Sequence, residues 1–367
     1  MTIIFDGTSG TLSGAALANT QITGVVTNNI NTSSLVTGGV SLGAGDASIM
    51  KNHLINGAMQ VWQRGTTQTF TNSIVYGSVD RWAFIQGGGS ASISQTQSTS
   101  VPSGFQYSVK QQRTASSTTT GTVYSIQEIE SVNCYDMAGQ TATLSFWAKC
   151  GSNFSASGST LTSLVYQGTG VDQGTTSWIS GTWTSPTSNT QSNMLTTTWQ
   201  RFSQTVTIGA STTEILVSLQ WVPVGTAGAD DSVYFTGVQL EVGSSATGFE
   251  YVNYQTSLAN CQRYYEVVTI DGGITFTVGT NQFGSAGSIG NQYYKVTKRA
   301  SPTVASSSTN NWYRYTVYNG SNASATPSFN NGNSILFSIN FGSLPASSVH
   351  WVYNQNNDYV VTASAEL

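Results

Sequence analysis

Charged residues are scarce in this sequence. The 367 residues include 12 Lys and Arg, 16 Asp and Glu and two His, so charged residues make up 8% of the chain and the net charge is −4. An average globular protein carries about 25% charged residues. Because proteins bind nucleic acid largely through Lys and Arg contacts to phosphates, a chain with no basic run is not expected to bind it. We expect a surface of hydroxyl and amide groups, which suits contact with carbohydrate or with copies of the chain.

Cysteines and long apolar runs are also scarce. The three cysteines are Cys134, Cys150 and Cys261, an odd number with no short spacing, which is neither a disulfide framework nor a zinc pattern. No segment reaches the roughly 18 apolar residues of a membrane helix, so we expect no membrane insertion. The first residues, MTIIFDGTSG, lack the basic start and the apolar run of a signal peptide. We expect the protein to be made in a reducing cytosol.

What the chain does contain is a series of short runs of β-branched and aromatic residues, separated by turn sequences such as VPSG and MAGQ. Many of these runs alternate between apolar and polar residues, which predicts strands with one buried face. In TATLSFWAK and EILVSLQW the apolar face consists of Ala142, Leu144, Phe146 and Ala148, and of Ile215, Val217, Leu219 and Trp221. This density of short strands predicts an all-β protein with a β-sandwich of the jelly-roll type.

Changes of composition along the chain predict four segments. Residues 1–50 have two charged residues, Asp6 and Asp46, and are expected to form an extended arm that docks on another protein and pairs with copies of itself; a flexible arm is the alternative. The other segments are the jelly roll over residues 51–255, a short connecting helix over residues 256–268 and a smaller C-terminal β domain over residues 269–367.

The stretch SLANCQRYYEVV has the pattern of a helix. Leu258, Cys261 and Tyr265 are spaced i, i+3, i+7 and would share one apolar face, which makes Cys261 a small buried structural residue. A nucleophilic cysteine would need a basic partner, and the sequence places no histidine beside it. Arg263 and Tyr264 would point elsewhere, towards a neighbouring domain or subunit.

Several blocks of this sequence resemble, in order, a domain common in bacteriophage tail fibres. The blocks are NHLINGAMQVWQRGTT, DRW, LSFWAK, TTTWQRFSQTVTI and FTGVQLEVGSSATGFEYVNYQTSLANCQRYYE, and they lie within residues 51–268. The terminal ASAEL is also similar to fibre C-termini. The resemblance implies a carbohydrate-module-like jelly roll in a virion fibre, usually a homotrimer, with no established catalytic residues.

From this resemblance we expect a structural virion protein of a tailed bacteriophage, made in the host cytoplasm. The N-terminal arm would dock on another virion protein, and the C-terminal domain would attach to a glycan on the host cell surface. A capsid-decorating head fibre and a glycan-degrading tailspike enzyme are the alternatives. An enzyme would need two carboxylates, and Glu128 and Glu130 alternate on one predicted strand about 7 Å apart, a separation that suits an inverting glycosidase. We expect instead a solvated strand face.

Aromatic residues beside amide-rich turns are the candidates for receptor contact. In NNWYRYTVYNG and HWVYNQNN these are Trp312, Tyr313, Tyr315, Trp351 and Tyr353. Tyr and Trp next to Asn and Ser are typical of adaptable binding loops. The alternative is that these rings pack the core of the C-terminal domain.

The other tryptophans fall into two groups, according to whether they lie in a predicted strand or in a loop. Trp147, Trp199 and Trp221 lie in alternating strands and are expected in the core. Trp178 and Trp183 lie in a loop-rich insert over residues 151–194 and are candidates for exposure.

Asp230 and Asp231 lie at a turn before a predicted strand. Oxygen-rich turns of this kind can hold calcium, which takes six to eight oxygen ligands. A structural calcium ion is therefore one expectation, and no other cofactor is expected. Aspartates that simply favour a turn are the alternative.

Two pairs of residues in the fibre-like blocks combine charge with tryptophan: Trp62 with Arg64, and Asp80 with Arg81, which precedes Trp82. A guanidinium over an aromatic ring contributes about 0.5–2 kcal/mol. We expect these residues to be structural, linking charges or capping backbone carbonyls inside the jelly roll.

Overall fold

The computed structural model describes residues 36–37, 40–41, 50–88, 93–270, 287–306, 312–315, 322–330, 333–340, 351–354 and 359–367. The chain divides into two compact units, residues 1–44 and 45–367. In the first unit, β1 (Val36–Thr37) and β2 (Val40–Ser41) pair antiparallel. The remainder of the arm predicted for residues 1–50 lies outside the described residues, apart from Met50.

The second unit begins with a β-sandwich of jelly-roll type. Sheet I has the strand order β11-β10-β13-β8-β5-β4, sheet II has the order β12-β9-β14-β7-β6-β3, and the pairings are antiparallel. The predicted all-β sandwich is therefore confirmed. The strands are β3 (Thr67–Phe70), β4 (Val75–Tyr76), β5 (Ala83–Gln86), β6 (Ile93–Ser98), β7 (Ser108–Arg113), β8 (Val123–Ile129), β9 (Thr141–Cys150), β10 (Thr160–Gly168), β11 (Thr187–Met194), β12 (Gln200–Thr207), β13 (Glu214–Trp221) and β14 (Ser232–Val242).

The main hydrophobic core lies between the two sheets. The alternating apolar residues predicted for β9 in sheet II and for β13 in sheet I are all buried in it. Burying a Leu, Ile, Val or Phe side chain of these strands contributes about 1.5–3 kcal/mol to the free energy of folding. Of the three tryptophans expected in the core, Trp221 is 1% exposed. Trp147 and Trp199 are half-buried on the other side of sheet II, so the prediction was wrong for these two.

Helix α2 (Tyr254–Gln262) leaves the sandwich and is shorter than predicted. Asn253 caps its N-terminus, where the side chain accepts a hydrogen bond from the backbone N–H of Gln255. The segment from Tyr265 is a strand rather than a continuation of the helix, because its aromatic and β-branched residues pair with the last strand of the chain. Tyr265 therefore does not share a helix face with Cys261.

A smaller β domain follows. Strands β15, β22 and β17 form a three-stranded sheet in the order β15-β22-β17, and a five-stranded sheet has the order β16-β20-β19-β18-β21. After β22, the backbone N–H of Ala365 donates to the carbonyl of Tyr264, so the last residues return to the sandwich. The strands are β15 (Tyr265–Ile270), β16 (Gly287–Tyr293), β17 (Thr303–Ser306), β18 (Trp312–Tyr315), β19 (Asn322–Asn330), β20 (Ser334–Asn340), β21 (Trp351–Asn354) and β22 (Tyr359–Ser364).

No helix within the described ranges is both long and apolar enough to span a membrane.

Candidate functional site

The outer face of sheet I carries three rows of side chains across β10, β13 and β8. Alternate residues of a strand point to opposite faces, and the residues between them in these strands form the core. The strand register therefore fixes which side chains are neighbours on the outer side. The rows are Thr162, Gln220 and Tyr124; Leu164, Ser218 and Ile126; and Tyr166, Leu216 and Glu128.

A loop-rich segment folds over part of this face and brings two tryptophans to it. Helix α1 (Thr175–Ile179) carries Trp178, whose ring meets Tyr124 edge-on with centroids 5.5 Å apart and lies 6.1 Å from the ring of Tyr166. Trp183 lies 5.2 Å from Tyr166 and is 4% exposed. Trp183 therefore anchors the segment, contrary to its candidacy for exposure, while Trp178 is half-buried at the edge of the cover.

The uncovered part of the surface combines aromatic rings with neutral polar groups. Tyr124, Tyr166 and Trp178 are half-buried, and the side chains of Thr162 and Gln220 are half-buried beside Tyr124. We call these five residues the aromatic face. Apolar ring surfaces beside hydroxyl and amide groups are what a sugar ring requires, because its C–H faces pack on aromatic rings and its hydroxyls take hydrogen bonds.

Sequence reasoning did not single out Tyr124 and Tyr166. Their signal in the sequence is a tyrosine at an outward position of a strand whose other outward residues are mostly apolar or small, as in VYSIQEI and TLTSLVYQG. That pattern shows only that a second layer covers the strand. It does not show that the layer is helix α1.

Glu128 and Glu130, considered as a carboxylate pair, lie in different surroundings. The Glu128 carboxylate is buried beneath helix α1 and accepts a hydrogen bond from the hydroxyl of Thr175. Burial raises the pKa of Glu128 to about 7, partly offset by the positive charge of Arg81. Glu130 instead forms a salt bridge of 3.1 Å with Arg263 of the segment after helix α2. The expected solvated strand face was wrong, because both carboxylates are buried.

The charged residues of the fibre-like blocks form a cluster that joins the sandwich to the end of the chain. Glu366 pairs with Arg64 at 2.9 Å and with Arg81 at 2.5 Å. The guanidinium of Arg64 lies 3.5 Å from the ring centroid of Tyr265, and that of Arg81 lies 3.5 Å from the centroid of Tyr264. The cation–π partners are thus tyrosines of the RYYE sequence.

Asp80 and Trp62 contribute to the same region through hydrogen bonds. The carboxylate of Asp80 accepts from the backbone N–H of Gln63 at 2.9 Å and lies 3.9 Å from Arg64. Burial raises the pKa of Asp80 to about 6, although the charge of Arg64 opposes the shift. The indole N–H of Trp62 donates to the carbonyl of Met59 at 2.6 Å.

Helix α2 and the residues after it contact the sandwich. Cys261 is fully buried, and burial raises the pKa of its thiol well above the ordinary value. Arg263 and Tyr264 meet the sandwich through Glu130 and Arg81, as predicted for contact with a neighbouring domain. Arg263 also lines a cleft of about 590 Å³, together with Asn260 and residues of the loop after β8.

Asp230 and Asp231 are held by cations of the protein itself. Asp231 forms a fully buried salt bridge of 2.8 Å with Arg113. Asp230 lies 3.3 Å from Lys110 and accepts a hydrogen bond from the hydroxyl of Ser232 at 2.8 Å. Among the described residues, no group of three or more His, Cys, Asp or Glu side chains could hold a metal ion.

The aromatic residues proposed for receptor contact lie on two paired strands. In the register of β18 and β21, Tyr313 is opposite Tyr353, Tyr315 is opposite Trp351, and Trp312 is opposite Asn354. The backbone thus brings the two sequence stretches together. The side chains of these residues lie outside the described part of the protein.

Comparisons with known proteins found likeness only among solved structures. No protein-family model matches the chain, and no curated protein matches it. The enzymatically active domain of bacteriophage CBA120 tailspike protein 4 is 15% identical, with a TM-score of 0.33, over 52% of this chain and 21% of the tailspike chain. The matched part thus spans about a fifth of that structure.

Two smaller neighbours are matched over most of their length. A family 61 carbohydrate-binding module in complex with β-1,4-galactotriose is 13% identical, with a TM-score of 0.29, over 52% of this chain and 98% of that one. A xylan-binding domain from Paenibacillus barcinonensis is 15% identical, with a TM-score of 0.29, over 43% of this chain and 91% of that one. These are likenesses of fold alone.

Proposed function

We propose that this protein is a structural fibre protein of a tailed bacteriophage virion and that it attaches to the host by binding a neutral glycan on the aromatic face. The observation that carries the proposal is the position of Trp178, held edge-on against Tyr124 and Tyr166 next to the amide of Gln220 and the hydroxyl of Thr162. The order of the fibre-like sequence blocks supports the assignment to a virion.

The mechanism proposed is adhesion without turnover. Sugar binding to one such face is weak, and a homotrimer with several fibres on each particle would multiply it through effective concentration. In this proposal residues 1–50 dock on another virion protein and the C-terminal domain extends the contact with the host surface. Light scattering tests the oligomer: we expect a mass of about three times 38.8 kDa, and a 38.8 kDa monomer would contradict it.

The binding site is tested by substitution on the aromatic face. We expect Trp178→Ala and Gln220→Ala each to weaken binding to host envelope glycan by about tenfold, since each removes a contact of roughly 1–1.5 kcal/mol. Tyr135→Ala is the matched control, because its ring is 81% exposed and lines the cleft beside Arg263, which contains no residue of the aromatic face. Glycan binding by the three variants is measured by titration calorimetry.

The salt dependence distinguishes this neutral contact from an ionic one. Adsorption through the aromatic face should change little from about 50 to about 500 mM NaCl, because salt screens charges and leaves stacking unaffected. Unchanged affinity of the Trp178 variant would reject the aromatic face as the site. New reducing ends released from the glycan would show a tailspike enzyme instead, and antibody labelling of the capsid would show a head fibre.

A further inference from the structure

The outer face of sheet II differs in chemistry from the aromatic face. In the strand register Lys149 of β9 is opposite Tyr234 of β14, which is opposite Lys110 of β7. In a neighbouring row Arg201 of β12 is opposite Trp147. The residue positions between these in the same strands form the core, so these side chains lie on the outer side of the sheet.

Aromatic rings separate the cations on this face. The ammonium of Lys149 lies 4.5 Å from the ring centroid of Tyr234 and 5.7 Å from that of Trp199, and the ammonium of Lys110 lies 5.3 Å from the centroid of Tyr234. The rings of Trp199 and Tyr234 meet edge-on at 6.4 Å. Both rings are half-buried, so they present part of their surface to solvent. We call Lys110, Lys149, Arg201, Tyr234 and Trp199 the basic face.

The charges on the basic face are incompletely neutralised. Most Lys and Arg side chains of the described residues form salt bridges, but Lys149, Arg201 and the more distant Lys295 form none with the described carboxylates. Arg201 is exposed and donates to the hydroxyl of Ser145 at 3.2 Å, which holds its guanidinium over the sheet. Lys110 shares its charge with Asp230, whose side chain is 35% exposed.

We propose that the basic face binds a negatively charged polysaccharide, with Lys149 and Arg201 contacting its anionic groups and Trp199 packing against its sugar rings. Lys110 becomes available when an anionic group displaces Asp230. A row of cations and rings across neighbouring strands suits a polymer that repeats sugar and charge. A chain with a net charge of −4 and this small number of cations on one face does not supply the multiple phosphate contacts that nucleic acid needs.

The test measures binding of the full chain to polygalacturonate, dextran sulfate, neutral dextran and a single-stranded oligonucleotide at about 50 mM NaCl. We expect binding to one or both acidic polysaccharides and none to neutral dextran, with affinity that falls as salt rises. Polygalacturonate presents carboxylates and dextran sulfate presents sulfates, so their ratio identifies the anionic group. Tighter binding to the oligonucleotide than to either polysaccharide would overturn the proposal.

Variants locate the site. Lys149→Ala should weaken binding by about fivefold, the upper range for one exposed ion pair, and Lys149→Ala with Arg201→Ala by about twentyfold. Asp230→Asn should strengthen binding, because it frees Lys110. Lys295→Ala is the control, since it removes one exposed positive charge elsewhere.

Equal affinity of the Lys149 variant and the Lys295 control would overturn the proposal, and thermal unfolding of each variant excludes loss of fold as the cause. Binding of acidic polysaccharide to the basic face does not depend on the aromatic face. Trp178→Ala should leave binding of the acidic polysaccharide unchanged, and Lys149→Ala should leave binding of the neutral glycan unchanged.

Discussion

At the scale of single residues, many of the charged groups that the structure describes are buried and paired with an opposite charge. Arg81 is 1% exposed, between the carboxylate of Glu366 and the ring of Tyr264. Burial by itself would lower the pKa of Arg81, but the charge of Glu366 outweighs it and the pKa is raised. Glu128 and Asp80 show the opposite balance, because burial outweighs their cationic neighbours.

The raised pKa of Glu128 makes stability depend on pH. Because the pKa rises from 4.5 unfolded to about 7 folded, the folded state holds the proton more tightly. The free energy of unfolding should therefore fall as pH rises from about 4.5 to about 7 and then level off. Glu128→Gln lacks this ionisation, so we expect its loss of stability between pH 5 and pH 8 to be smaller by about 2–3 kcal/mol.

Urea unfolding of both proteins across this pH range gives the measurement. Asp80, with a pKa of about 6, remains in the variant and should keep a residual slope in the same direction. Parallel profiles for the two proteins would show that the Glu128 carboxyl is already ionised at pH 5.

At the scale of secondary-structure elements, helix α1 and its flanking loop decide what the outer face of sheet I presents. Without this cover, Ile126 and Leu216 on the outer side of β8 and β13 would face water, whereas both are fully buried. The segment is held by Trp183, which packs with these residues. The same segment places Trp178 at the edge of the aromatic face.

Removal of the anchor should therefore also affect the position of Trp178. We expect Trp183→Ala to lower stability by about 3–5 kcal/mol, the usual range for a buried Trp, and to weaken glycan binding because Trp178 loses its position. Trp178→Ala should lower stability by less, since its ring is half-buried. Denaturant unfolding and calorimetric titration of both variants provide the comparison. Equal stability losses would mean that Trp183 is not the anchor.

At the scale of the whole molecule, the end of the chain fastens the C-terminal domain to the sandwich. Strand β22 pairs with β15 and β17, and the next residues reach the sandwich through Glu366 and through the carbonyl of Leu367, which accepts from the hydroxyl of Tyr76. The two parts of residues 45–367 are therefore joined at both ends of the C-terminal domain.

Glu366→Gln tests this attachment. The substitution leaves the buried guanidinium of Arg81 without a carboxylate and leaves Arg64 with Asp80 alone, 3.9 Å away, which should lower the free energy of unfolding by about 3–5 kcal/mol. Asp136→Asn is the control, because its carboxylate is 48% exposed and its contact with the ring of His53 should contribute at most about 1 kcal/mol. Urea unfolding gives both values, and a Glu366 variant as stable as the control would show that the cluster does not hold the domain.

The sequence by itself determined the strands and their buried faces, because the alternation of apolar and polar residues is a local property with a period of two residues. In β9 and β13 every alternate apolar residue predicted from this pattern is buried in the core. It also marked Arg64 and Arg81 as structural residues. Only the tertiary structure decided their partners, since Glu366 lies 285 residues after Arg81. It likewise decided where helix α2 gives way to β15, because β22 pairs with the residues from Tyr265 onwards. Both faces proposed for binding arise in this way: their side chains come from strands far apart in the chain, and the register that makes them neighbours is set by the packing of the two sheets.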